Sequence, residues 1–162
     1  QKAFLFSGTI LDNFHHGKKD ATMEEIRHAA GIAQIGEFID GLEDGYHTRV
    51  AQGGNNFSGG QKQRLAIARA LVKKPEIYIF DDSFSALDFK TDARLRAALK
   101  EETTHSAVIL VAQRISTIMD ADQIVVLDEG RVAGIGTHKE LMESCTVYQQ
   151  IARSQLSEEE LA

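Results

Sequence analysis

The chain has 162 residues, 43% hydrophobic and 26% charged, with a net charge of −6. That length allows one domain with a real core, and the acidic balance argues against broad binding to nucleic acid or a membrane surface. The longest apolar runs, Ile77–Phe80 and Ala107–Ala112, are far too short to cross a bilayer, and no signal-peptide pattern opens the chain. Cys145 is the sole cysteine, which excludes an internal disulfide and fits a reducing, cytoplasmic setting. The acidic run Ser157–Glu160 reads as a solvated helix end or tail. The first residues, Gln1–Phe6, have no start methionine and no polar lead, so the sequence is expected to be a piece of a longer chain.

Residues from about 9 to 72 read mostly as helix. Thr22 and Glu25 form a capping box, and Ile26, Ala29, Ala30 and Ala33 follow at helical spacing. Phe38–Leu42 fits a short helix ending at a glycine, and 45–56 is a polar, glycine-rich loop. A basic, alanine-rich helix then runs from Gly59 to Leu71. From Pro75 the pattern alternates. Ile77–Phe80 and Ala107–Val111 are apolar throughout, as in strands covered on both faces. Between them, 92–99 is helical. Ile115–Met119 suits a short helix and Gln123–Asp128 a third strand. A turn at Glu129–Gly130 leads to a fourth, antiparallel strand over 131–135, and one helix over 139–154 closes the chain. This is an α/β architecture with a mostly parallel sheet. It divides into a helical part, 1–74, and a strand–helix part, 75–162.

The segment Asn55–Leu71, NNFSGGQKQRLAIARAL, carries the clearest chemistry. Ser58 can cap the helix, with Gln61 closing a capping box. Gly59 and Gly60 have no side chains, so their amides can lie against a ligand. The helix dipole adds partial positive charge at that end. Together these suit a phosphate. An ordinary capped helix would explain Ser-Gly-Gly alone, but not the whole run. His15, His16 and His28 lack the spacing of metal ligands and read as solvated. Cys145 reads as structural.

Phe57-Ser58-Gly59-Gly60-Gln61 and the ten residues after it resemble the signature motif of ATP-binding cassette (ABC) ATPases, with Phe57 in place of the usual leucine. The likeness covers essentially the whole chain, in the family's order. Ile77–Asp81 is similar to the Walker B strand. The resemblance implies that Asp81, at the C-terminal end of that strand, serves a Mg2+ ion bridged to ATP phosphates. Ser85-Ala86-Leu87-Asp88 matches the D-loop, which in the family crosses a dimer interface. Gln1 falls at the Q-loop glutamine, which in the family touches magnesium and couples to the transmembrane part. Phe4–Asn13 and Gly136–Leu141 look like exporters in particular. The implied fold is part of a P-loop NTPase (RecA-like) core with a helical ABC subdomain.

The sequence also departs from the family. No G-x-x-x-x-G-K-[ST] occurs, so the Walker A loop is missing, and this polypeptide alone is expected to bind ATP weakly or not at all. Asp82 stands where the family has a catalytic glutamate, one methylene longer. Misplacing such a group by about 1 Å can cost on the order of 100-fold in rate. Gln113 stands at the switch histidine, and its neutral amide cannot carry a proton. Gln52 replaces a glutamate of the exporter pattern, a milder change. The implied parent is an exporter on the cytoplasmic face of a membrane, its nucleotide-binding domain paired with a second such domain and coupled to a transmembrane domain. Asp82 and Gln113 make it resemble the weaker half of a heterodimer. In that resemblance Ser58–Gln61 serves the opposite, competent site and Asp88 the interface. Two other readings stand: a soluble ABC ATPase without transport, and a module that only folds and self-associates. In the family's sheet the Walker A strand lies between the strands of 108–111 and 124–127. Without it, exposed strand edges are expected to promote self-association.

Overall fold

The computed structural model describes residues 3–156, which form two compact units, one ending at Ile109 and one beginning at Leu110. The acidic run at 157–160 lies outside the described residues.

The first unit opens with a tied-down segment. Strand β1 (Gly8–Thr9) pairs antiparallel with β2 (Arg49–Val50). Thr9 then caps α1 (Ile10–Gly17) in a capping box with Asp12. Asn13 is buried on α1 and holds 6–9 from below: its Oδ1 accepts from the Phe6 amide at 2.9 Å, and its Nδ2 donates to the Phe6 and Thr9 carbonyls at 2.8 and 3.0 Å. Helix α2 (Met23–Ile32) starts in the expected box of Thr22 with Glu25. Helix α3 (Gly36–Asp40) ends at Gly41. The glycine-rich stretch after it is less of a loop than its composition suggests: it holds two 3₁₀ turns, Gly45–His47 and Gln52–Gly54, flanking β2.

Helix α4 (Gly59–Leu71) is the spine of this unit. Leu65, Ala68 and Leu71 are buried on the face it shares with α1 and α2. Arg69 leaves that face toward the N-terminal segment. It donates to the Phe4 carbonyl at 2.9 Å and to Asn13 Oδ1 at 3.3 Å, and its guanidinium lies 5.0 Å from the Phe6 ring centroid. Burial lowers its pKa from the usual arginine value. A guanidinium desolvated to this extent is held by its acceptors and the aromatic face.

Strand β3 (Ile77–Asp81) follows, then α5 (Phe89–Glu102) and β4 (Ala107–Val111). Strands β3 and β4 pair across the α5 crossover, as a parallel βαβ connection requires. The Ala107 amide opens the ladder by donating to the Glu76 carbonyl at 2.8 Å. Neither strand is covered on both faces, contrary to the expectation from their apolar runs. Tyr78 and Phe80 are buried at 4% exposure each, while Ile77 and Ile79 on the opposite face are 58% and 68% exposed. Along β4, Val108, Ile109 and Val111 are exposed as well. An unbroken apolar run signals cover on both sides; β3 is covered on its Tyr78–Phe80 face alone, and β4 exposes residues of both its faces.

The second unit packs a hairpin on two helices. Strand β5 (Ile124–Asp128) pairs antiparallel with β6 (Arg131–Gly136), with an irregularity between Val126 and Leu127. The turn is at Glu129 and Gly130, both at positive φ, as the tightest hairpins require. Ile124 and Val126 face a core with Ile115, Leu141, Tyr148 and Ala152. The short α6 (Ile115–Ile118) contributes the first of these. The closing helix of the sequence reading is two helices, α7 (His138–Ser144), capped by Thr137 with Glu140, and α8 (Thr146–Gln155). The break is at Cys145, whose backbone is extended. Its thiol is buried against the Ala133 carbonyl at 3.8 Å and lies beside Gly134, where an added Cβ would come within 3.0 Å of it. Strand and helix thus approach closely at this residue.

Two glycines separate packing from propensity. A Cβ on Gly17 would fall on the Arg69 carbonyl and 3.0 Å from Val72 Cγ1, because α1 crosses α4 there. A Cβ on Gly31, exposed inside α2, meets nothing within 4 Å. In urea denaturation, Gly17→Ala should therefore destabilise the chain by about 1–3 kcal/mol. Gly31→Ala should stabilise it by about 0.5–1 kcal/mol. Equal effects of the two would contradict this packing.

Candidate functional site

Ser58 caps α4 in the predicted capping box. Its Oγ accepts from the Gln61 amide at 3.2 Å, and Gln61 Oε1 accepts from the Ser58 amide at 2.8 Å. Phe57, just before the cap, turns inward: its ring is buried and meets Phe38 edge-on at 6.2 Å. Ser58 and Gly59 are exposed and Gly60 is half-buried. Neither glycine has positive φ, so backbone freedom is not what the position needs. A Cβ on Gly60 would sit 3.0 Å from the Ala86 carbonyl, and one on Gly59 3.6 Å from Ala86 Cβ. The glycine pair therefore lets the loop over 82–88 lie against the first turn of α4.

Together the two segments wall a cleft of about 460 Å³. Ser58, Gly59 and Gly60 line one side and Ala86 and Asp88 the other, with Arg64 also in the lining. Asp88 caps α5, and its hydrogen bonds with the side chain and then the backbone of Thr91 hold its carboxyl below the usual aspartate pKa. Arg64 is half-buried, and desolvation lowers its pKa, opposed in part by the nearby Asp88 charge. It donates to the Gly60 carbonyl at 3.3 Å and to the Gln34 carbonyl at 2.5 Å. The cleft thus offers amides at a helix N-terminus and a cation, which suit a charged phosphate group, beside the Asp88 carboxylate, which disfavours an anion close to it.

A second group of oxygens sits where β3 ends. Asp81 and Asp82 are both half-buried, next to Ser83. Among the described residues no cluster of three His, Cys, Asp or Glu side chains could hold a metal by itself. One aspartate with hydroxyl neighbours fits Mg2+, which keeps water and phosphate oxygens as most of its ligands. Asp82 has φ of 48°, in the left-handed region. Aspartate enters that region more readily than longer side chains. The shorter residue therefore suits the backbone on which it stands.

One residue that the sequence reading did not single out organises both groups. Gln63 is 7% exposed, one turn into α4. Its Oε1 accepts from the Ala86 amide at 3.0 Å, and its Nε2 donates to Ser85 Oγ at 3.2 Å and to the Asp82 carbonyl at 3.4 Å. Its only sequence signal is a polar side chain on an apolar helix face.

Gln113 lies in the second unit, exposed, in the turn before α6. Its carbonyl accepts from Gln155 Nε2 at 2.8 Å, while Gln155 Oε1 accepts from the Ile115 amide at 2.9 Å, so α8 pins this turn at both ends. Gln1 lies outside the described residues.

The family model described as ABC transporter matches residues 1–85. An uncharacterized ABC transporter ATP-binding protein of Mycobacterium tuberculosis is 48% identical over 96% of this chain and 27% of its own length. One of Bacillus subtilis is 47% identical over 98% of this chain and 27% of its own. The mitochondrial potassium channel ATP-binding subunit of Rattus norvegicus is 43% identical over 96% of this chain and 22% of its own. Among solved structures, a bacterial Atm1-family ABC exporter with ATP bound matches 98% of this chain and 28% of its own, at 41% identity and a TM-score of 0.93. The chain thus spans about a quarter of the length of the relatives it matches.

Proposed function

The chain belongs to the ABC transporter family, and from that premise we propose that it is part of the nucleotide-binding domain of an exporter that couples Mg-dependent ATP hydrolysis to transport. The observation that carries the reading is the capped glycine turn at the start of α4, open on a cleft with Asp88 and Arg64. The likeness to an exporter solved with ATP bound supports the choice of ligand. In the parent, this domain works on the cytoplasmic side of a membrane with a transmembrane domain. Among the described residues no helix is long and apolar enough to cross a membrane.

The residues divide the work as follows. Ser58 and Gln61 fix the first turn of α4, and the Gly59 and Gly60 amides with the helix dipole receive phosphate held by a partner domain. Asp88 faces them across the cleft. Asp81 would hold Mg2+, which, when bound, neutralises charge on the phosphates. Asp82 stands at the position that would polarise the attacking water, and Gln1 and Gln113 each stand at the sequence position of a polar group, the Q-loop and the switch. Aspartate in place of glutamate, and glutamine in place of histidine, are each less suited to moving a proton. The parent is therefore one half of a heterodimer. Ser58 serves the fast site and Asp82 the slow one.

A second reading applies to the chain by itself. Ile77 and Ile79 leave one face of the β3–β4 sheet apolar and bare, and β4 adds Ile109. Surfaces of this kind associate.

Two measurements test these readings. In the intact parent transporter, Ser58→Arg should nearly abolish ATP turnover, whereas Asp82→Asn should change it far less. The reverse ranking would sink the heterodimer reading. For the isolated chain, light scattering at rising concentration should show growing mass, suppressed by Ile79→Lys. A strict monomer would contradict self-association.

A further inference from the structure

We propose that Gln63 is a positioning residue that sets the spacing between the two walls of the cleft, holding Ala86–Asp88 against the glycine turn. The inference rests on the reading of that cleft as part of an ATP site.

The side chain uses both ends of its amide, and the assignment is forced. The Ala86 N–H can only donate, so Oε1 must face it, at 3.0 Å. That leaves Nε2 toward Ser85 Oγ and the Asp82 carbonyl, at 3.2 and 3.4 Å. Ser85 Oγ in turn donates to the same carbonyl at 3.1 Å. Every bond from Gln63 therefore ends on the loop 82–86, and the side chain is buried beneath it. One helical turn earlier, Gly60 brings the backbone of α4 against the Ala86 carbonyl. Helix and loop thus meet at two points on the same peptide neighbourhood, Gly60 at the Ala86 carbonyl and Gln63 at the Ala86 amide.

The consequence concerns the cleft. Ala86 and Asp88 form one wall, and α4 carries the other. Glycine at 60 permits the approach but exerts no hold. Gln63 supplies the hold, since its removal leaves the Ala86 amide and the Asp82 carbonyl without this partner. If phosphate is bound chiefly by a partner domain, losing the spacing weakens the geometry reached during turnover more than ATP binding. The expected signature is a fall in kcat with little change in KM.

The test uses the intact parent transporter, with steady-state ATPase kinetics and hydrogen exchange at Ala86. Gln63→Leu should speed exchange of the Ala86 amide about tenfold or more, and lower kcat by about tenfold with KM for ATP within about twofold. Exchange along Leu65–Leu71 should stay unchanged, which separates the effect from unfolding of α4. Gln63→Glu keeps an acceptor for the Ala86 amide but sets a carboxylate oxygen against the Asp82 carbonyl, so it should restore protection of that amide and recover only part of the turnover. Unchanged Ala86 exchange in Gln63→Leu would overturn the proposal, as would freed exchange with undiminished kcat, or protection restored by glutamate without recovery of turnover. A wild-type parent with no ATPase activity would instead overturn the functional reading, and Ala86 exchange would still decide whether Gln63 holds the loop.

Discussion

The contact between α4 and the loop at 82–88 is the constraint on which the candidate site depends. It joins the glycine turn, Asp82 and Asp88 into one piece of structure. Two features make it possible: an absent side chain at Gly60, and a buried amide at Gln63 that satisfies the backbone brought close. Without the first the loop would be pushed away, and without the second buried backbone groups would lose their partner. The second unit uses the same device, where Gln155 holds the turn of Gln113 and Ile115 with both ends of its amide. In both units a helix glutamine fixes a turn that carries a proposed functional residue.

Local rules made much of the fold legible. The capping boxes at Thr22 and Ser58 could be read because each spans three residues with a reciprocal pair of bonds. The boxes at Thr9 and Thr137 obey the same rule, and their signals were present in Thr9-x-x-Asp12 and Thr137-x-x-Glu140. The hairpin turn at Glu129–Gly130 was legible for a similar reason. Asn13, Gln63 and Gln155 were not, because their partners lie in other segments and nothing in the local sequence names them. The break at Cys145, which packs beside Gly134 of a neighbouring strand, was also hidden. The strands were read correctly as strands, but their burial was overestimated. An apolar run reports the cover a strand is suited to; β3 lacks that cover on one face and β4 on both.

The structure also alters how the two unusual residues are understood. Asp82 is not merely a shortened glutamate, because it stands at positive φ, where aspartate is the easier residue, and its carbonyl is held from α4. Its proposed weakness as a base thus comes from reach rather than from disorder of the backbone. Gln113, by contrast, has its carbonyl fixed while its side chain is exposed. The turn proposed to receive phosphate differs from both, because Ser58 and Gln61 close its cap reciprocally and Gly60 lets the loop of Ala86 lie against it.

The account therefore makes the glycine turn half of a site, completed by another domain. Calorimetric titration of Mg-ATP into this chain alone tests that claim most directly. The account predicts no saturable heat at micromolar nucleotide. Saturable one-to-one binding with a dissociation constant of about 1–10 μM, about −7 to −8 kcal/mol, would contradict it.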